Sequence, residues 1–358
     1  MKKLFILLMF ITVSSSLLRG QEDDLSNQIK ELQKSVNAND FRFEEVIKKI
    51  DDVLWYQRVG DIAFIDKVII TGPPKKAVDT TAIGVNNPLK FNAYIFIPKE
   101  IVLTKKYPLI VLVHGGVHGD FGTYHTHIVR ELMAQNYIVV APDYRGSTGY
   151  GESFWKAIDY GGFEVQDSEA SREYMVENYS FIDRNRVGVV GWSHGGLIAL
   201  MSVFQYPDNY KVCFAGVPVS DLVARLEYMD DDYRKLFSAD YHIGKEVSED
   251  IEEYRKRSPV THVEKLKTPL LIHTNTNDDD VHVTEVESLI NALKAADKSF
   301  EYEIFKDLPG GHSFDRIDIK QSREIRLRIW IFLAKYLNPP NPIKNLNDME
   351  KAAYVPYR

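Results

Sequence analysis

Val187-Gly188-Val189-Val190-Gly191-Trp192-Ser193-His194-Gly195-Gly196-Leu197-Ile198-Ala199-Leu200 is the stretch whose reading decides the fold. The apolar run to Val190 predicts a buried strand, and the run from Gly196 predicts a helix. Between them, Gly191-Trp192-Ser193-His194-Gly195 has the form of a nucleophile elbow, a strained turn with Ser193 at its tip. Side chains two residues either side of such a serine would collide with neighbouring backbone, so the pattern places glycine there.

A serine hydroxyl is a poor nucleophile near neutral pH and needs a base to take its proton and an acid to orient that base. Where the elbow belongs to an α/β-hydrolase fold, the acid follows a later strand and the histidine follows the last one. Pro269-Leu270-Leu271-Ile272-His273 reads as a buried strand running into Thr274-Asn275-Thr276-Asn277-Asp278-Asp279-Asp280-Val281. Phe300 to Phe305 alternates as a strand, and Leu308-Pro309-Gly310-Gly311-His312-Ser313-Phe314 is a tight loop before a C-terminal helix. His312 is assigned as general base and Asp278 as its orienting acid, with Asp279 as the alternative. The oxyanion of acyl transfer needs preorganised donors. The backbone N–H of His194 is one candidate, and the loop of His114, Gly115 and Gly116 supplies the other. His114 either orients that loop or donates directly.

Apolar runs at Leu109 to Val113, Tyr137 to Ala141, Val187 to Val190, Val212 to Val217 and Leu270 to His273 alternate with helical stretches. That order predicts a mainly parallel, doubly wound sheet with helices on both faces. Ile62 to Ile70 and Phe91 to Ile97 read as antiparallel entry strands, with Gly72-Pro73-Pro74 as a break. An insertion at 221–267 is expected to cap the site and shape the acyl or leaving-group pocket. Asp230-Asp231-Asp232 within it reads as a solvated acidic face in preference to a subsite for a cationic substrate.

These motifs resemble the catalytic domain of the prolyl oligopeptidase family of serine peptidases. Four stretches carry the resemblance: Val113 to Gly119, Asp143-Tyr144-Arg145-Gly146-Ser147-Thr148-Gly149-Tyr150-Gly151, the elbow, and the paired loops of Asp278 and His312. The family's Asp-x-x-Val pattern fits Asp278 and Val281, which favours Asp278 as the acid. The resemblance covers roughly residues 90 to 338. It implies an acyl-enzyme mechanism on small or unstructured peptides. Many relatives carry a β-propeller before this domain, for which this chain has no room, so a more open site is expected. His114 and Val117 stand where relatives often have tyrosine and proline, which resembles the acylaminoacyl-peptidase branch and also general esterases. Tyr144, Arg145 and Trp192 from the motifs, with Tyr228 and Tyr233 from the insertion, are candidate substrate contacts. A carboxylesterase, for example one deacylating polysaccharides, is the alternative activity, and an idle binding protein on the same scaffold is the reading of a different class.

Lys2-Lys3, the apolar run Leu4 to Val13 and Ser14-Ser15-Ser16 read as a leader over residues 1–20, which implies a periplasmic or secreted protein. Residues 21–60 read as a helical extension whose apolar pattern continues past Asn37 to Asp40. Leu25, Ile29, Leu32 and Val36 precede Asn37 to Asp40, and Phe43, Val46, Ile47, Ile50 and Leu54 follow. The extension is expected to pack on the catalytic domain at 61–340, with a homo-oligomer contact or a partial lid as its other uses; residues 341–358 read as a tail. The 358 residues carry a formal net charge of −7, which offers no footprint for nucleic acid. Cys213 is the sole cysteine and sits in an apolar run as a small buried hydrophobe. His118, His125 and His127 lack zinc spacing, and the aspartate run lacks that of an EF-hand, so neither metal nor cofactor is implied.

Overall fold

The computed structural model describes residues 2–76 and 80–353, with side chains for 24–76 and 80–352. The leader read at 1–20 lies outside the residues with described side chains. β1 (Ala63–Pro74) and β2 (Pro88–Pro98) pair antiparallel, Phe64 opposite Ile97. β3 (Tyr107–Val113), β4 (Ile138–Asp143), β5 (Ile182–Trp192), β6 (Val212–Gly216), β7 (Leu270–Asn275) and β8 (Glu301–Phe305) complete one sheet in the order β1-β2-β4-β3-β5-β6-β7-β8. β2 meets β4 antiparallel, and every pairing from β4 onward is parallel. Leu109 to Leu112 on β3 have no solvent exposure, because helices cover both faces of the sheet.

Before the insertion come α1 (Lys2–Val59), α2 (Thr126–Ala134), α3 (Glu152–Trp155), α4 (Phe163–Asn178) and α5 (His194–Gln205). The insertion forms α6 (Leu222–Tyr228), α7 (Asp231–Ser238) and α8 (Ile251–Lys256), and α9 (Val283–Ala295), α10 (Lys320–Leu337) and α11 (Leu346–Ala353) follow. α4, α5 and α9 bury Val165, Leu197 and Leu289 against one face of the sheet. α2, α10 and the end of α1 bury Ile128, Ile329 and Trp55 against the other. This is the α/β-hydrolase arrangement. The turn of Ser193 and the loops of Asp278 and His312 follow the carboxyl ends of β5, β7 and β8.

Two expectations are corrected. Gly72-Pro73-Pro74 does not break β1; the ladder runs through it with a register shift between Gly72 and Pro74, as proline on an edge strand permits. α1 is continuous across Asn37 to Asp40. Asn and Asp each cost only a few tenths of a kcal/mol to about 0.7 kcal/mol in a helix interior, too little to end a long one. The segment read as a tail packs as α11, with Ile343 and Met349 buried and the Ile343 N–H donating to Gln135 Oε1 at 3.3 Å.

α1 docks through its last turns. Trp55 and Val59 are fully buried, and Trp55 stacks on Phe121 at 5.4 Å. Lys48 Nζ lies 2.8 Å from both Asp120 and Asp143 and donates to the Phe121 carbonyl. Asp143 ends β4 and also accepts from the Phe121 N–H and the Tyr150 hydroxyl. Burial opposes the charge on each group, yet the attraction between them prevails. Lys48 is held above its ordinary value and Asp143 below its own.

Candidate active site

Ser193 sits between β5 and α5 with φ 60°, a left-handed conformation rare for a residue with a side chain. Its N–H donates to the Gly216 carbonyl at 2.9 Å, and its own carbonyl accepts from Val219 N–H at 3.2 Å, so β6 and the segment after it clamp the turn. The flanking glycines are required by contact. A Cβ at Gly191 would lie 2.1 Å from the Gly195 carbonyl oxygen, and one at Gly195 would lie 2.4 Å from that of Val113. The first amides of α5, beginning with His194, have no intrahelical acceptor and point positive partial charge toward the serine.

The loop after β3 closes over this turn. A Cβ at Gly115 would come within 3.3 Å of Ser193 Cβ, and Gly116 takes φ 73°. Tyr144 hydroxyl lies 3.2 and 3.0 Å from the His114 and Gly116 carbonyls, and His114 Nε2 lies 3.0 Å from Ser147 Oγ. His114 is buried and stacked on Tyr144, so its side chain supports the loop from beneath and does not face the cavity.

His312 follows β8 in a short helical turn, and its Nδ1 lies 2.9 Å from both Asp278 carboxylate oxygens. Asp278 is buried and also accepts from the N–H groups of Asp280 and Val281, each at 2.9 Å, which orients the carboxylate. Asp279 is exposed. A cavity of about 250 Å³ lies beside Ser193 and is lined by Gly116, His118, Tyr160, Arg225, Tyr233 and Asp280, among others. Asp280, one of the lining residues, has Oδ2 3.8 Å from His312 Nε2.

The substrate contacts expected at Tyr144, Arg145 and Trp192 are corrected. Tyr144 serves the loop. Arg145 is completely buried, bonded to both Asp167 oxygens and to the Pro73 and Pro74 carbonyls. Trp192 is buried in the cluster with Ile128 and Ile329 and donates to Asp315 Oδ2 at 2.7 Å. The insertion does reach the cavity, through Arg225, Tyr233 and Phe237. Tyr228 stands behind, its hydroxyl bonded to Glu285 and its ring stacked on His282. Asp230 caps α7, while Asp231 and Asp232 pair with Arg234 and Lys235 on the solvent side.

Arg225 and Asp280 were not singled out from the sequence. Arg225 Nε lies 2.9 Å from the Tyr233 hydroxyl, and its guanidinium faces Asp280 and, at 3.6 Å, Glu285. One cation thus serves two carboxylates, of which only Asp280 is solvent-accessible to any extent. The available signal was an arginine between Val223 and Leu226 on a short apolar helix, a position that buries a charge.

Beneath the elbow, His194 and Glu164 are buried together, with 3.4 Å between His194 Nε2 and Glu164 Oε1. Burial lowers His194 to about 3, and burial reinforced by Asp159 pushes Glu164 up to about 8. A neutral imidazole therefore faces a protonated carboxyl at neutral pH, which avoids the cost of a buried ion pair. The folded state holds this proton while the unfolded chain releases it above about 4.5. The resulting stabilisation is complete below that pH and is lost as pH rises toward 8. Glu164→Gln is expected to flatten this dependence: between pH 5 and 8 its melting temperature should fall less than that of the parent. Equal slopes for the two proteins would exclude Glu164 as the titrating group.

Among the described residues, no helix is long and apolar enough to cross a membrane. The chain is 29% identical over 268 residues to the "Uncharacterized peptidase YuxL" of Bacillus subtilis (strain 168), covering 72% of this chain and 40% of that protein. It is 24% identical over 248 residues to the acylamino-acid-releasing enzyme of Mus musculus, covering 68% of this chain and 34% of that one. The chain therefore spans two fifths or less of the length of these curated relatives. The crystal structure of the Pyrococcus horikoshii acylaminoacyl peptidase superposes with a TM-score of 0.63 at 22% identity, over 80% of this chain and 44% of that one. The prolyl oligopeptidase family matches residues 124–340, most of the sheet together with the elbow and the loops of Asp278 and His312, and the chain belongs to that family.

Proposed function

We propose that this chain is an exported serine peptidase that acts through an acyl-enzyme on small or unstructured peptides. The observation that carries the reading is the 2.9 Å contact of His312 Nδ1 with both oxygens of a buried Asp278, while His312 Nε2 lies 3.8 Å from Asp280, which lines the cavity beside the strained Ser193. In this reading Ser193 Oγ attacks the scissile carbonyl while its proton passes to His312 Nε2. The oxyanion is held by the His194 N–H and by the Gly115-Gly116 loop. His312 then gives the proton to the leaving amine, and water repeats the cycle on the ester. Export rests on the leader-like run at residues 1–20. The relatives named as peptidases support amide cleavage.

Asp280 narrows the substrate. It is the accessible carboxylate of a group in which one guanidinium faces two carboxylates, and it stands beside His312. Such a site favours a cationic group next to the scissile bond, as a free α-amino group would supply.

Initial rates on matched p-nitrophenyl esters and aminoacyl amides, with free and acetylated amino groups, test the reading. Serine-dependent amide turnover is expected, faster on the free-amine series. Turnover of esters alone would replace the peptidase reading with that of a carboxylesterase, and preference for acetylated amides would overturn the role given to Asp280.

A further inference from the structure

α1 has two faces. Lys48, Asp51, Asp52, Trp55 and Val59 hold it on the catalytic body. At the 3.5 residues per turn of a supercoiled helix, a second, apolar stripe lies about 180° around α1 from Lys48 and Trp55. Its members from Leu25 to Val53 are 48% to 69% exposed, apart from one polar position. They alternate at intervals of four and three without a slip through four heptads, the pattern of a coiled-coil seam. In heptad terms Ile29, Val36, Phe43 and Ile50 occupy a positions. Leu25, Leu32, Asn39, Val46 and Val53 occupy d positions. Lys34, Phe41, Lys48 and Trp55 fall at f, opposite the seam, and the last three are the side that meets the body.

We propose that this stripe is the seam of a parallel, in-register, two-stranded coiled coil between two copies of the chain. Three observations select a second copy and this geometry. The first is chemical: β-branched residues at three of the four a positions, with leucine at the first two d positions, favour two parallel strands. The second is Asn39. In a parallel pair in register it meets the second copy's Asn39 and satisfies it, whereas an antiparallel pair sets d against a and leaves it facing an apolar side chain. The third is size. Eight half-exposed apolar side chains offer on the order of 100 Å² each, so two copies would bury roughly 1,600 Å² in total, the standard size of a stable interface. Flanking positions agree. Across a parallel seam Gln28 would meet the second copy's Gln33, Ser35 its Asp40, Arg42 its Ile47 and Lys49 its Leu54, so no like charges are opposed.

The inference is independent of the catalytic reading, because the stripe points away from the body. Sedimentation equilibrium of the purified protein from about 1 to 100 µM should give the mass of two copies. Leu32→Asp combined with Val36→Asp should give one copy, with the melting temperature of the catalytic body unchanged, which shows that the variant folds. Cysteine cross-linking then reads the register, and buried Cys213 leaves a clean background. Leu32→Cys alone should oxidise to a covalent dimer. A mixture of Leu25→Cys and Val53→Cys variants should give only the two homodimers. A single-copy mass for the parent at every concentration would overturn the proposal, including the case of a monomer that binds lipid vesicles through the stripe. So would a three-copy mass, a mass unaffected by the double substitution, or a Leu25→Cys to Val53→Cys cross-link.

Discussion

Ser193→Ala is expected to lower kcat by roughly 10⁴- to 10⁶-fold with little change in KM and no change in melting temperature. The backbone argues that the loss will be chemical. Alanine keeps a Cβ at the same positive φ, so the turn retains its strain and its hydrogen bonds to Gly216 and Val219. The cavity loses one oxygen and nothing that shapes it. The His194 amide and the loop after β3 remain to bind the carbonyl, and they account for the residual rate above that in water. Purified variant and parent compared on the best substrate of the ester and amide panel give the answer. Turnover within tenfold of the parent would remove Ser193 as nucleophile.

Asp278→Asn is expected to lower kcat by about 10⁴-fold, while Asp279→Asn should leave it within a few-fold. The contrast follows from geometry. Asp278 accepts from two backbone N–H groups and from His312 Nδ1, so it holds the imidazole with a proton on Nδ1 and a lone pair on Nε2 toward the cavity. An amide in its place can turn its NH₂ toward His312 and stabilise the other tautomer, which presents a proton where a base is needed. Asp279 is exposed and holds no such position. A crippled Asp279→Asn variant with a healthy Asp278→Asn variant would reverse the assignment of the two carboxylates.

The parts of this chain that sequence alone made legible are those whose physics is local. Strands buried on both faces leave continuous apolar runs, and the elbow glycines answer to atoms only a few residues away along the chain or on the adjoining strand. The meeting of Asp278 with His312 was legible through their order after β7 and β8. Arg225, Asp280 and Glu164 were not, because each acquires its role from partners brought by other elements. Tyr144, Arg145 and Trp192 misled for the converse reason. They adjoin the catalytic motifs in sequence, yet their side chains turn into the body to hold those motifs.

The Lys48 contacts bear on where this polypeptide can be divided. Residue 60 looks like the natural place to cut, at the end of the helix and before the first strand. A fragment beginning there would lose the ammonium that neutralises Asp143, leaving a carboxylate in the interior directly ahead of Tyr144 and the loop that tyrosine supports. Removing one member of such a pair costs about 3–5 kcal/mol, a large part of a typical domain's stability. The frontier between arm and body therefore runs lengthwise along α1, and shortening the chain from its amino end is safe only for as long as the turn bearing Lys48 is kept.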